Sequence, residues 1–158
     1  MRYTTASLVG AFVVLLGVGA GCHNDDDGPN IGIAGRTFNQ LENCSQTDEN
    51  SPAHCAFSNG ATVVQFSNLG GGNWEAVYVP DSGFRAVGTF SGNTFHFSAT
   101  SAAGYTEQGS MTFNGNGDAY SGSSTYAAND DSFIGECRFN GAIVPSIPPN
   151  AAPIGACP

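Results

Sequence analysis

The chain has 158 residues, of which 41% are hydrophobic and only 11% are charged, well below the quarter or so that is usual in soluble domains. This length is enough for one domain with its own core. The chain contains no lysine, and four arginines stand against 13 acidic residues, which gives a formal net charge of −9. Because phosphate groups and anionic headgroups attract basic surfaces, this charge argues against nucleic acid as a partner and against peripheral adhesion to anionic lipid.

Residues 1–21 have the pattern of a secretory signal peptide. Arg2 supplies a positive start, and residues 8–18 form an apolar stretch that is too short to span a bilayer as a helix. The run G-A-G-C that ends at Cys22 resembles the lipobox of bacterial lipoproteins, in which small residues precede the cysteine that becomes acylated. The resemblance implies a lipid on Cys22 and accounts for one odd cysteine in a set of five. The alternative is an ordinary signal peptide, cut at the same small residues, that leaves Cys22 free.

Residues 22–34 are polar, acidic and rich in turn formers, so they predict a flexible tether. Three adjacent aspartates at positions 25–27 are interpreted as a solvated run rather than a cation site. In enterobacterial lipoproteins an Asp directly after the acylated Cys favours the inner membrane, and here that position is His23. The resemblance therefore implies an exported protein that is lipid-anchored in the bacterial cell envelope, at the outer membrane, on its periplasmic or surface face.

Residues 35–144 show the period-2 alternation of antiparallel strands, interrupted by Gly and Asn turns, and no segment has helical period. The pattern predicts an all-β domain of about eight strands in an up-and-down meander. Closing such a sheet into a small barrel removes its exposed edges, and a two-sheet β-sandwich is the alternative. The predicted strands are 35–42, 61–69, 73–79, those of a central meander over 84–126, and a closing strand 133–144, with a polar loop over 43–54.

Strand parity predicts which side chains face the core, since alternate residues point to opposite sides of a sheet. Residues 63 and 64 are both valine, and Trp74 and Tyr78 alternate against two valines, so the inner face of those strands stays open. Burying one phenylalanine contributes about 1.5–3 kcal/mol, which is enough for such rows to fix the register. The predicted inward rows are Phe84, Ala86, Gly88 and Phe90; Phe95, Phe97 and Ala99; Met111 and Phe113; Tyr120 and Tyr126; and Cys137 with Phe139.

Four cysteines follow Cys22, which in an exported chain predicts two disulfides with three possible connectivities. We expect Cys44–Cys55, closing the polar loop, and Cys137–Cys157. The second bond would tie the Pro-rich tail, residues 145–158, back onto the barrel. A metal site at His54 and Cys55 is disfavoured because the chain has no C-x-x-C spacing there.

The sequence contains no recognisable catalytic apparatus. It has no G-x-S-x-G elbow, no H-E-x-x-H and no phosphate loop. Asn114, Asn116 and Asp118 are spaced like the start of a calcium loop, but the glycine and the glutamate that should follow are missing, so a hairpin turn is the better interpretation. His96 falls on the polar face of its strand. We therefore expect a protein that is not an enzyme and that carries no cofactor and no metal.

Parity places the carboxylate of Glu107 among apolar neighbours, with Tyr105, Met111 and Phe113; Glu75, beside Trp74, raises the same question less strongly. A buried carboxylate needs a partner or shifts its pKa. An ion pair with Arg85 or Arg138 is one interpretation, and an acid that orients a ligand inside the barrel is the other. The residues predicted to line such a ligand site are Trp74, Phe95, Phe97, Glu107, Tyr120 and Tyr126.

The predicted architecture resembles the small lipocalin-like and avidin-like meander barrels, although no family motif accompanies it. Three functional classes follow. We expect foremost a module that holds a small apolar ligand inside the barrel. The alternatives are a protein-interaction or hydrolase-inhibitor lipoprotein, whose loops dock on a partner, and a structural surface lipoprotein. In each case the partner on the envelope side is the membrane, reached through the N-terminal lipid.

Overall fold

A computed structural model describes residues 29, 31–48, 55–79, 84–102 and 104–151, with the backbone alone for Asp48 and for residues 55–60. The predicted signal peptide, Cys22, the aspartates at 25–27, His54 and Cys157 lie outside these residues. The described residues form no helix. In this part of the chain, therefore, no helix has the length and the apolar character needed to cross a membrane.

Eight antiparallel strands close into one barrel, each paired with the next and the last with the first. This confirms the predicted all-β meander and excludes the two-sheet sandwich. The strands are β1 Thr37–Asp48, β2 Cys55–Gly70, β3 Asn73–Val79, β4 Arg85–Ser91, β5 Thr94–Thr100, β6 Tyr105–Phe113, β7 Ala119–Ala128 and β8 Phe133–Ile143.

The hairpin of β1 and β2 is much longer than the sequence predicts. The prediction of a polar loop over residues 43–54 is wrong for residues 43–48, because β1 continues to Asp48; residues 49–54 lie outside the described residues. Polar side chains do not prevent pairing here, since β1 is flanked on both sides and bonds to β2 and to β8 along this stretch. This extension lengthens the barrel wall at one end.

The predicted inward rows are confirmed. Buried apolar side chains inside the barrel come from every strand, and the two positions that parity left open are decided in favour of Val64 and Trp74. Phe84, Phe90 and Tyr126 are partly buried against the same core. The fully or almost fully buried apolar members include Phe38, Val64, Phe66, Trp74, Phe95, Phe97, Met111, Phe113, Tyr120 and Phe139.

Four aromatic side chains each pack against a glycine that is their register partner on the neighbouring strand. A Cβ on Gly122 would stand 2.2 Å from Cε2 of Phe139, and one on Gly135 would stand 2.2 Å from Cζ of Tyr126. Each ring lies directly over the backbone of its glycine, where any larger residue would clash with it. This packing explains part of the high glycine content. The register partners are Phe97 with Gly109, Phe139 with Gly122, Tyr120 with Gly141, and Tyr126 with Gly135.

The disulfide of the described residues joins Cys44 on β1 to Cys137 on β8. The expected pairs Cys44–Cys55 and Cys137–Cys157 are therefore wrong. Barrel closure makes Cys44 and Cys137 direct register partners, with Cα atoms 4.1 Å apart, whereas Cys55 lies opposite Thr47, three residues further along β1. The side chain of Cys55 and all of Cys157 lie outside the described residues, so a second disulfide remains a prediction.

The tail is fastened to the barrel, but not by a bond from Cys137. Asparagine side chains on the outer face of the β1–β8 seam donate hydrogen bonds to its carbonyl groups. Asn39 Nδ2 donates to Ser146 O at 2.8 Å, and Asn43 Nδ2 donates to Ala151 O at 2.7 Å. Asn140 adds bonds to the carbonyls of residues 149 and 150. The tail therefore covers the seam where the barrel closes.

Candidate functional site

The barrel interior has two unlike halves. In one half aromatic rings fill the space edge to face, with centroids 5.2 Å apart for Phe66 and Phe113 and 5.3 Å apart for Phe38 and Tyr120. Trp74 and Phe90 continue this packing at 5.2 Å. Rings packed in this way leave no room for a ligand, so this half serves the stability of the fold.

The other half contains a cavity of about 430 Å³, within the size range of small-molecule sites. It lies where the long ends of β1 and β2 meet the start of β6 and β8 and the end of β7. Two carboxyl groups and five aromatic rings dominate its lining. The lining residues are Glu42, Cys44, Gln46, Thr62, Tyr78, Phe84, Tyr105, Glu107, Tyr126, Phe133 and Cys137.

Strand register brings the two carboxyl groups into this cavity from different walls. Glu42 continues the inward row of β1 that includes Phe38 and Gln40, and Glu107 belongs to the inward row of β6. Glu107 is only 7% exposed, and its register partner on β7 is Tyr126. The cavity thus has a carboxyl group on each of two strands and aromatic rings between and beside them.

Burial raises the pKa of both carboxyl groups. For Glu42 the hydrogen bond from Gln40 opposes the rise. For Glu107 the nearby Ser124 hydroxyl opposes it, while repulsion from Glu42 adds to the rise. Moving a charged carboxylate out of water is costly unless a partner compensates it. The described lining contains no arginine, lysine or histidine, so this part of the chain supplies no compensating cation at the cavity.

A buried glutamine connects the packed half with the cavity. Gln40 is 0% exposed; its Nε2 donates to Glu42 Oε2 at 3.0 Å and to Tyr78 Oη at 3.2 Å. Tyr120 Oη donates to Gln40 Oε1 at 2.7 Å. Burial raises the pKa of both tyrosines, so they stay neutral. This network fixes the orientation of Glu42 and leaves the Tyr78 hydroxyl hydrogen to donate elsewhere.

Tyr126 is held against the cavity wall by two features. Its Oη donates to the backbone oxygen of Ser45 at 3.1 Å, and its ring lies over Gly135. Its ring centroid is 6.0 Å from that of Tyr105 and 6.1 Å from that of Phe133. The aromatic wall is therefore positioned before any ligand arrives.

The six residues predicted for a ligand site divide between the two halves. Glu107 and Tyr126 line the cavity. Trp74, Phe95, Phe97 and Tyr120 are buried in the aromatic core and do not appear in the cavity lining.

The arginines suggested as partners of Glu107 point elsewhere. Arg85 pairs with Glu75, with Nη1 to Oε2 at 3.0 Å. Arg138 is exposed on the outward side of β8, next to Ser123 and Asn140. The sequence-based prediction also missed Glu42, because the predicted first strand stopped there. Continuing its alternation through Cys44 and Gln46 would have placed all three inside the barrel.

A second hollow, of about 620 Å³, lies on the outer face of the wall. Its lining consists mostly of outward side chains of β1, β6, β7 and β8, chiefly Ser, Thr and Gln with the exposed Ile134 at its edge. Among the described residues no group of three or more His, Cys, Asp or Glu side chains is arranged to hold a metal ion. The interior cavity, where carboxyl groups and rings converge, is the better candidate site.

Fold and cavity together define the class: a closed eight-stranded meander barrel with a carboxyl-lined cavity at one end. No protein-family profile matches the chain, and no curated protein matches it significantly. Two similar solved structures are a single and a double mutant of the vaccine antigen transferrin binding protein B (TbpB) from Haemophilus parasuis Hp5. Their identities are 17% and 16% and their TM-scores 0.50 and 0.52. Each match covers 75% of this chain and 27% of the other, and at this identity the likeness shows the fold alone.

Proposed function

We propose that this protein is an exported, lipid-anchored envelope protein whose barrel binds a small ligand in the cavity between Glu42 and Glu107. The observation that carries the proposal is a ring-lined cavity that holds two carboxyl groups, that of the buried Glu107 and that of the partly buried Glu42. Placing such groups in a cavity costs stability, because each loses hydration. Their presence is therefore better explained by a function than by a contribution to the fold. Perturbed acids in a concave apolar site mark binding sites in many proteins. The packed aromatic half provides the rigid base on which the site is built.

The lipid anchor in this proposal rests on the sequence, through the lipobox-like run that ends at Cys22. A Cys22→Ala variant, expressed in the native host, is expected to leave the membrane fraction and to lack the acyl mass at its N-terminus. A variant that still fractionates with the membrane and keeps its acyl mass would contradict the anchor without affecting the ligand site.

The ligand site is tested by native mass spectrometry of protein extracted from its own membranes. We expect a non-covalent adduct on the wild type and its loss from Thr62→Phe, which fills the cavity from β2. Thr106→Phe is the matched control, because Thr106 is exposed on the outward face of β6, and it should keep the adduct. An adduct that survives Thr62→Phe, or a wild type that never carries one, would overturn the proposed site.

A protein partner is the second candidate. The two solved structures of similar fold belong to a protein named for binding transferrin, although the likeness carries the fold alone. The specific observation in favour is Ile134, which is 61% exposed on the outer face of β8, beside the outer hollow. If the partner binds there, Ile134→Asp removes its co-purification while Thr62→Phe leaves it intact.

A further inference from the structure

The interior cavity holds two carboxyl groups and no positively charged side chain from the described residues. Arg36 donates to the backbone oxygens of residues 116 and 117 at the opposite end of the barrel wall, and Arg85 is paired with Glu75. Arg138 is on the outward face of β8. The sequence has no lysine. Among the described residues, therefore, no cation compensates Glu42 and Glu107, and a cationic ligand can take that place.

The rings around the carboxyl groups form two walls. Tyr78, on β3, and Phe84, directly before β4, meet edge to face, with centroids 4.5 Å apart. Tyr105, Tyr126 and Phe133 form the other wall, with centroids 6.0–6.5 Å apart. The faces of aromatic rings carry a partial negative charge that attracts cations, most strongly when water is excluded. Rings and carboxyl groups thus select the same kind of ligand.

The hydroxyl group beside Glu107 does not neutralise it. Ser124 is 4% exposed, and its hydroxyl lowers the pKa of the Glu107 carboxyl, against the larger effect of burial. A neutral hydroxyl stabilises a carboxylate without supplying a positive charge, so a cationic ligand would still add stabilisation. A metal ion does not meet these requirements. Among the described residues no set of three metal-binding side chains exists, and a cavity of about 430 Å³ has room for roughly fourteen water volumes of about 30 Å³.

We propose that the ligand of this cavity is an organic cation, a quaternary ammonium or protonated amine with apolar substituents, held between Glu42 and Glu107 and the surrounding rings. This inference rests on the proposed ligand-binding function and gives its chemical class. The ammonium group lies between the carboxylates, and its substituents contact Tyr78, Tyr105 and Phe133. Binding keeps the two carboxyl groups charged, so it displaces the protons that burial otherwise retains on them.

Isothermal titration calorimetry with choline, benzyltrimethylammonium and 3,3-dimethylbutan-1-ol tests the charge requirement. The alcohol has the shape of choline without its charge. We expect both cations to bind at least about tenfold more tightly than the alcohol, and Glu42→Gln and Glu107→Gln each to weaken cation binding about tenfold or more. The control is Glu136→Gln, an exposed acid on the outward face of β8, which should leave both affinities unchanged. Circular dichroism checks that each variant keeps its fold.

The outcomes separate the two proposals. In one outcome the alcohol binds as tightly as choline, Thr62→Phe abolishes the binding of both, and the two Gln variants change neither affinity. That outcome supports the ligand site and overturns the proposal that its ligand is a cation. If none of the three probes binds and native mass spectrometry finds no adduct, both proposals fail. Cation binding that Glu136→Gln weakens as much as Glu107→Gln would show attraction to the overall charge of the protein, which also overturns the inference.

Discussion

Removal of the disulfide by Cys44→Ala/Cys137→Ala should destabilise the barrel strongly while preserving its fold. The bond joins residues 93 apart in sequence. In the chain-entropy description, a cross-link that closes a loop of that length lowers the entropy of the unfolded state and so raises its free energy by about 4–5 kcal/mol, against a usual range of about 2–4 kcal/mol. The eleven register pairs between β1 and β8 do not depend on the bond, so the double variant should still close its barrel.

Urea unfolding, followed by the fluorescence of the single tryptophan, Trp74, measures this difference. The double variant should lose about 3–5 kcal/mol of unfolding free energy. Cys55→Ala/Cys157→Ala leaves the Cys44–Cys137 bond in place, so any stability that it loses belongs to the predicted second disulfide. A non-reduced peptide map should recover Cys44 linked to Cys137. A loss below about 1 kcal/mol, or a map that links Cys44 to Cys55, would refute the assignment of this bond as the closure of the barrel.

Three further results are expected. Gly122→Ala should lower the free energy of unfolding, measured by thermal unfolding, by about 1–3 kcal/mol or more, because its Cβ would stand 2.2 Å from Cε2 of Phe139. Gly115→Ala, whose Cβ would have nothing within 4 Å, is the control and should be tolerated. Equal effects would contradict the packing of aromatic rings over glycines. Because burial raises the pKa of Glu107 above its ordinary 4.5, the folded protein holds more protons than the unfolded chain above that pH and loses stability as pH rises through the raised value. Glu107→Gln should therefore gain melting temperature over the wild type as pH rises from 4.5; a gain that instead grows toward acid pH would contradict the buried, uncompensated carboxyl. Asn43→Ala removes a hydrogen bond to the tail and should speed hydrogen exchange at residues 146–151 without changing exchange in β5; unchanged exchange in the tail would show that other contacts hold it.

The barrel itself could be predicted from the sequence because its determinants are local. Alternation fixes which side of a strand is buried, and short Gly and Asn turns make successive strands neighbours. The rows through Phe95, Phe113 and Phe139 were therefore assigned correctly. Gly70, with φ of 83°, occupies a left-handed conformation that suits glycine at the β2–β3 turn.

The disulfide and half of the site escaped prediction because they depend on a contact between the two ends of the sheet. Cys44 meets Cys137 only after β8 has paired with β1, and the polar sequence around Cys44 does not identify itself as a strand. Glu42 was missed for the same reason. Around Glu42 the inward and the outward residues of β1 are mostly polar, so the pattern of hydrophobic residues does not show which of them face the interior. Glu107 was found because its neighbours on β6 are apolar.

The division of the barrel into a packed and an open half follows from the sizes of the inward residues. Phe38, Phe66 and Phe113 meet at one level and fill it. At the other level the inward positions include Thr62 and two cysteines, whose small side chains leave a cavity. A sequence read strand by strand predicts which residues face inward, but not how their volumes sum at each level of the barrel.

A crystal structure of the protein grown with benzyltrimethylammonium tests the ligand site most directly. We predict electron density for the cation inside the barrel, with its ammonium between the carboxyl groups of Glu42 and Glu107 and its ring against Tyr105 or Phe133. An interior cavity without the cation, at a concentration that saturates the protein in solution, or density confined to the outer hollow, would contradict it.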